Sequence, residues 1–287
     1  MRTWTKLGII AGDGDLPVRL AEHSRAAGIP VHISRITGMS DARLAGWPGR
    51  EFAITAFADR IAAMKADGVD AIVFAGYVRR PDLAGLRGGI KDALVLPRIL
   101  AAAGKGDDAL LRAVMDVFAA GGFVILGAED VLEDLIATSG VYGRVEPDAA
   151  ALADIDKAVQ VARQIGALDI GQAVVVAHGL VLAVEAQEGT DRMLARTAEL
   201  PANLRGRPGA RAGVLVKVPK PQQERRIDLP TIGLATLEGA ARAGLAGIAI
   251  EAGGALVMDR AGLVRAADEA GLFIIALPAP VPPQAPE

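Results

Sequence analysis

The segment Lys217–Gly233, KVPKPQQERRIDLPTIG, concentrates ionic side chains between two apolar runs. Lys217, Lys220, Arg225 and Arg226 supply positive charge, with Glu224 and Asp228 among them. Pro219, Pro221 and Pro230 restrict the backbone, so less freedom is lost when the charges are fixed in place. Cations beside a carboxylate suit a polyanionic phosphate. The cations offset its charge, and the acid activates water or binds a metal that does so. Gln222 and Gln223 add neutral hydrogen-bonding groups. The plain alternative is a basic surface loop.

Other stretches carry similar chemistry. VEAQEGTDRML (Val184–Leu194) presents Glu185, Glu188 and Asp191, and Thr190 suits either a helix cap or a phosphate donor. Hard oxygen ligands at this spacing suit Mg²⁺ or Mn²⁺; a solvated helix face is the other reading. AGDGDLP (Ala11–Pro17) follows an apolar strand and opens a helix, where doubly wound folds bind phosphate on backbone N–H groups. Its Gly12, Asp13 and Gly14 are not the start of GxGxxG, and the next strand ends in Arg35 rather than in a ribose-binding acid. NAD and FAD are therefore not expected, and a tight turn competes with a phosphate loop.

AGYVRRPD (Ala75–Asp82) ends a buried strand, where Arg79 or Arg80 suits an anion or simply a solvated loop. In KGDDALL (Lys105–Leu111), Gly106, Asp107 and Asp108 suit a helix start, a cation or a sugar hydroxyl. Glu251 precedes two glycines at a strand end and suits the site or a turn equally. His23, His32 and His178 are scattered over helix, strand and turn positions. There is no Ser-His-Asp order, no HExxH and no calcineurin-type Asp/His/Asn set. A hydrolase on this chain would work with carboxylates, amides and a metal.

The elements that position these residues alternate. The spacing predicts strands at LGIIAG, IPVHISRI, ITAF, VDAIVFAG and FVIL. Between them it predicts helices at GDLPVRLAEHSRAAG, DRIAAMKADG, KDALVLPRILAAAG and GDDALLRAVMDVFAAGG. This is an α/β pattern with a parallel sheet covered on both faces. A breaker-rich stretch, TSGVYGRVEPD, then opens a second α/β unit, with Asp148 as helix N-cap and a hairpin turning at His178–Gly179. GIAIEAGGALVMD reads as two strands around a Gly-Gly turn. The boundary is placed at residue 143, giving domains 1–143 and 144–278 with a disordered Pro-rich tail at 279–287.

The chain has 287 residues, 52% hydrophobic and only 3% aromatic, so the core is built from small and aliphatic side chains. A net charge of −3 argues against a nucleic-acid surface. Cysteine is absent, excluding disulfides and thiolate metal sites. No apolar run reaches the roughly 18 residues of a membrane span, so a cytoplasmic protein is expected.

Taken together, AGDGDLP, AGYVRRPD, LPRILAAAGKGDDALLR, DIGQAVVV, VLAVEAQEGTDRML, VKVPKPQQERRIDLPTIG and AGLAGIAIEAGGALVMDR closely resemble the UDP-2,3-diacylglucosamine pyrophosphatase family of lipid A biosynthesis. The likeness is to its Rossmann-like two-domain form, not to the unrelated metallophosphoesterase form, and it spans almost the whole chain. It implies an N-terminal Rossmann-like parallel-sheet domain and a C-terminal α/β domain, with the substrate between them. It implies hydrolysis of the pyrophosphate to UMP and 2,3-diacylglucosamine 1-phosphate (lipid X), with Mg²⁺ or alternatively Mn²⁺, in a homodimer. The family's essential aspartate falls on Asp228.

Within that resemblance Asp228, Asp191 and Glu188 are the expected metal ligands. Gly12, Asp13, Gly14, Gly76, Lys105, Asp107, Asp108, Gln172, Glu188, Gly189, Thr190, Lys217 and Lys220 are the expected substrate-binding residues. The two acyl chains imply apolar cover and a peripheral contact with the inner membrane. The rival expectation is a non-catalytic module that binds a nucleotide-sugar or lipid.

Overall fold

The computed structural model describes residues 2–79, 92–93 and 95–279. Its contacts divide the chain into two units. The first is Met1–Glu133 together with Glu224–Asp228; the second is Asp134–Gln223 together with Leu229–Glu287. Residue 143 thus lies inside the second unit, and Asp228 is grouped with the first. Arg80, Asp82 and residues 280–287 of the Pro-rich tail lie outside the described residues.

The first unit runs β1 (Leu7–Ala11), α1 (Asp15–Ala26), β2 (Val31–Ile36), β3 (Gly49–Phe52), α2 (Phe57–Ala66), β4 (Ala71–Ala75), α3 (Leu96–Ala103), α4 (Asp107–Ala120), β5 (Val124–Leu126) and α5 (Ala128–Val131). The strands form one parallel sheet in the order β3-β2-β1-β4-β5. Every residue of central β1 is buried, which is why it reads as an unbroken apolar run. Phe118 of α4 is fully buried and meets Phe57 and Phe74 edge-on, with ring centroids 6.2 and 5.5 Å away.

One expectation fails here. The third strand is Gly49–Phe52, GREF, and not ITAF, which runs into α2 instead. An edge strand need not be apolar, and GREF has no fully buried residue, so an apolar-run criterion passes over it.

The second unit runs β6 (Gly140–Tyr142), α6 (Ala149–Ala167), β7 (Ala173–Ala177), β8 (Leu180–Val184), α7 (Gly189–Ala198), α8 (Ala202–Arg205), β9 (Gly206–Arg207), β10 (Ala210–Arg211), β11 (Val214–Lys217), β12 (Thr231–Ile232), α9 (Leu234–Arg242), β13 (Gly247–Glu251), β14 (Leu256–Val257), α10 (Arg260–Ala270) and β15 (Phe273–Leu277). The main sheet has the order β6-β15-β13-β11-β7-β8. Its central strands β15, β13 and β11 are parallel, with antiparallel neighbours on both sides.

Alternation along these strands separates two core layers. Val174, Val176, Val214 and Val216 pack with Ile155, Ala158 and Ala162 of α6. Val175, Leu215, Ile250 and Ile274 pack with Met193 of α7, Leu237 of α9 and Leu263 of α10. Asp148 caps α6 as expected, accepting from Ala151 N at 2.8 Å. The hairpin turns at His178–Gly179, whose N–H groups both donate to Asp154 of α6, at 3.0 and 2.7 Å.

GIAIEAGGALVMD does form two strands around Gly253–Gly254, as expected, but they do not pair with each other: β13 belongs to the main sheet, while β14 pairs in parallel with β12. Within the breaker-rich stretch, β6 pairs with β15 and Arg144 N–H donates to Asp268 Oδ1 at 2.7 Å. Among the described residues no helix is long and apolar enough to cross a membrane.

Candidate functional site

The charged segment begins at the end of β11. Lys217 is buried, and its Nζ donates to Thr231 O at 3.0 Å. Lys220 Nζ lies 2.6 Å from Asp169 Oδ1, with only 12% of its side chain exposed. The KPQQ turn closes on itself: Gln223 N–H donates to Lys220 O, and Lys220 N–H to Gln223 Oε1. Gln222 Nε2 then reaches Gly166 O at 2.8 Å, and Gln223 Nε2 reaches Gln172 Oε1 at 3.1 Å.

From Gln172 the network continues. Its N–H donates to Glu185 Oε2 at 3.1 Å, and Glu185 Oε1 accepts from Thr190 Oγ1 at 2.6 Å. Three stretches far apart in sequence, KPQQ, DIGQ and EGTD, are therefore joined through one buried carboxylate. A buried charge needs such partners to be tolerated. Thr190 serves this bond, and neither Thr190 nor Glu188 caps α7 through its side chain.

Glu188 follows a different course. Arg196 approaches its Oε1 through both Nε (3.2 Å) and Nη2 (2.9 Å), while Nη2 also donates to Val184 O. Its own backbone N–H and Arg196 hold its carboxyl below the usual glutamate range. Asp191 is exposed in the first turn of α7, with Gly189 at the helix start. Among the described residues no three His, Asp or Glu side chains gather into a metal-binding group.

Asp228 stands in the first unit. Glu224 N–H donates to Asp108 Oδ1 at 3.1 Å, and Asp108 Oδ2 is 2.7 Å from Arg112 Nη2. Arg226 grips Glu224 as a two-pronged pair, Nε to Oε1 at 2.9 Å and Nη2 to Oε2 at 3.0 Å. This hydrogen bonding holds the Glu224 carboxyl below its ordinary range. The Glu224 carbonyl accepts from both Ile227 N and Asp228 N, each at 3.2 Å, so the segment is a tight turn ending on half-buried Asp228. Asp107 is half-buried beside Asp108, and Lys105 is exposed before the helix.

The AGDG loop is engaged with its neighbour. Gly12 N–H donates to Ala75 O, and Asp13 and Tyr77 exchange backbone hydrogen bonds of 2.8 and 2.9 Å. Gly14 N–H donates to Asp13 Oδ1 at 2.9 Å, and Pro17 in the first turn of α1 has no N–H to offer. A Cβ on Gly12 would stand 2.5 Å from Tyr77 O, and one on Gly76 2.5 Å from Asp13 O. These glycines serve the close approach of two loops. The N–H groups of Gly12, Asp13 and Gly14 are already donating. Arg79 Nη2 reaches Gly38 O at 3.4 Å.

The structure thus gathers the expected residues into separate groups. Gln172, Thr190 and Lys220 join the Glu185 network; Asp108 joins the turn of Asp228; Gly12, Asp13, Gly14 and Gly76 form the loop pair. Asp169, which meets Lys220, carries no signal in sequence spacing beyond its charge; Arg112 stands four residues after Asp108, the spacing of a helical ion pair, and Glu224 and Arg226 lie within the charged segment itself.

Comparison with known proteins decides the family. Residues 6–135 match the family model described as the LpxI N-terminal domain, and residues 138–275 that of the LpxI C-terminal domain. The chain belongs to the LpxI family. A LpxI relative, named UDP-2,3-diacylglucosamine pyrophosphatase LpxI, from Caulobacter vibrioides, is 53% identical over 270 residues, covering 94% of this chain and 96% of its own. Among solved structures, a NAD-dependent epimerase/dehydratase from Methylobacillus flagellatus shows 15% identity and a TM-score of 0.25, covering 48% of this chain and 42% of that one. An N5-carboxyaminoimidazole synthase from Aspergillus clavatus shows 11% identity and a TM-score of 0.25, covering 62% and 40%. Both likenesses are too slight to add to the LpxI assignment.

Proposed function

We propose that this chain hydrolyses the pyrophosphate of UDP-2,3-diacylglucosamine to UMP and 2,3-diacylglucosamine 1-phosphate, with Asp228 as the catalytic carboxylate. The observation that carries this is the 53% identity, over nearly the full length of both chains, to a relative named for that activity. Asp228 adds a physical reason. It is half-buried at the end of a turn held by charged pairs, which restricts where its carboxylate can reach.

Pyrophosphate hydrolysis places little covalent demand on the protein; it needs charge compensation and an aligned water. Asp228 accepts a hydrogen bond from the attacking water and fixes its direction. Lys217 and Lys220, held on Thr231 O and Asp169, act through the shape of the segment that carries Asp228.

Mg²⁺ is held by one or two carboxylates with waters and substrate phosphate oxygens rather than by a full protein cage. The residues here fit an ion of that kind: Asp228 offers a carboxylate, and Mn²⁺ would meet the same donors. Glu188 fits less well, because its carboxylate is engaged by Arg196. When bound, the ion offsets the negative charge of the phosphoryl oxygens. The diacyl substrate would bring the protein to the inner membrane surface as a peripheral visitor.

The test is release of UMP and lipid product from UDP-2,3-diacylglucosamine by wild type and Asp228→Asn, with Mg²⁺ and with EDTA. Loss of roughly 10²-fold or more in kcat is expected for the variant. Wild-type turnover in Asp228→Asn would refute the role of Asp228. Substrate binding without turnover in wild type would leave a binding module.

A further inference from the structure

We propose that Asp108 is a positioning residue for Asp228, holding the turn Glu224–Asp228 against the first turn of α4. The inference rests on the catalytic role of Asp228 given above.

The two oxygens of Asp108 are divided between two partners. Oδ1 accepts the backbone N–H of Glu224, and Oδ2 meets Arg112 one helical turn on. The N-cap of α4 is Gly106, which has no side chain, and Asp108 follows in the first turn of the helix. Its carboxylate meets the Glu224 backbone and Arg112. Its negative charge is favoured in the first turn by the helix N-terminus, and Arg112 fixes its orientation.

From Asp108 the connection to Asp228 is short. Asp108 holds Glu224 by its N–H, and the Glu224 carbonyl holds the N–H of Asp228. The Glu224 side chain is itself held by Arg226, which donates to both of its oxygens. Asp108 thus ties the turn to a 14-residue helix at Glu224, and the catalytic carboxylate lies four residues beyond Glu224. Displacing a reacting group by about 1 Å costs up to roughly 10²-fold in rate.

The experiment measures kcat and KM of the full chain for Asp108→Ala, Asp108→Asn, Arg112→Met and Asp228→Asn, and for the double variant Asp108→Ala/Asp228→Asn. Asp108→Ala should lower kcat by about 10- to 100-fold with KM changed less than about threefold. Asp108→Asn keeps an acceptor oxygen for Glu224 N–H and should recover most of the loss. Added to Asp228→Asn, Asp108→Ala should cost nothing further, because it acts through the missing carboxylate.

Should Asp108→Ala not fold, Arg112→Met carries the test, alone and combined with Asp228→Asn: a kcat loss that vanishes in the Asp228→Asn background supports the proposal. A KM rise at unchanged kcat overturns it and makes Asp108 a substrate contact. Wild-type kinetics in Asp108→Ala, with Asp228→Asn inactive, overturns it and leaves the role of Asp228 standing. An active Asp228→Asn instead removes the reading beneath it.

Discussion

Gly76 and Asp13 approach so closely that a Cβ on the glycine would stand 2.5 Å from the Asp13 carbonyl oxygen, at a backbone φ of +89°. Both facts exclude a side chain. Gly76→Ala should destabilise the protein by about 2 kcal/mol or more, through left-handed strain plus a backbone collision. Chemical denaturation measures this directly. A midpoint equal to wild type would mean that the two loops part at no cost.

Lys217 makes a different demand. Its buried ammonium donates to Thr231 O at 3.0 Å, in the residues following Asp228. Lys217→Met keeps the apolar stem and removes the donor. Leaving the carbonyl without this charged partner should cost about 1–3 kcal/mol. Turnover should fall as well, since the segment after Asp228 is no longer tied to β11. Denaturation midpoints and UMP release, measured on the same preparation, check both halves.

Asp154 supports the β7–β8 turn by accepting two backbone N–H groups while almost wholly buried. Asp154→Ala leaves both donors unmet and should cost about 2–4 kcal/mol, taking roughly 1–2 per lost bond. His178 lies at φ 51°, where glycine is more at ease, so His178→Gly should be neutral or slightly stabilising. Thermal melts of the two variants should move in opposite directions, or only the first should move.

Acid should weaken the first unit through Asp41. Arg43 hydrogen-bonds its carboxyl and lowers its pKa to about 2. An unfolded aspartate titrates near about 3.9. The folded value is the lower one, so the pair's stabilisation is present above about pH 4 and is lost as pH falls towards 2. Both groups are close to solvent, so the effect should shrink in high salt. Denaturation of wild type and Asp41→Asn between pH 5 and 2 tests this: the variant should show a flatter acid slope.

Much of the fold was legible because its signals are local. Apolar runs mark β1, β4 and β7; Asp148 marks the start of α6; His178–Gly179 marks a turn. The polar edge strand β3 leaves no such trace, since none of its residues is fully buried; the strand at Leu256–Val257 is readable, but its pairing with β12, 25 residues earlier, is not. Within the site, the sequence shows where charge lies but not what it meets. Glu185 and Glu188 look alike in VEAQEGTD, yet one binds Thr190 and Gln172 N–H while the other binds Arg196. Arg196 is eight residues from Glu188, two helical turns away, beyond the three- or four-residue spacing that predicts a helical pair. Asp108 and Glu224 are 116 residues apart, and no pattern of spacing joins them.

The grouping of Glu224–Asp228 with residues 1–133 has a consequence for how this chain can be divided. No single cut yields two self-sufficient fragments. One ending at Glu133 lacks the five residues that complete its own unit; the complementary fragment carries those five without the helix that receives them. Recombination between relatives meets the same obstacle. A hybrid joining the first part of one to the second part of another would complete the first unit with residues 224–228 from the other parent.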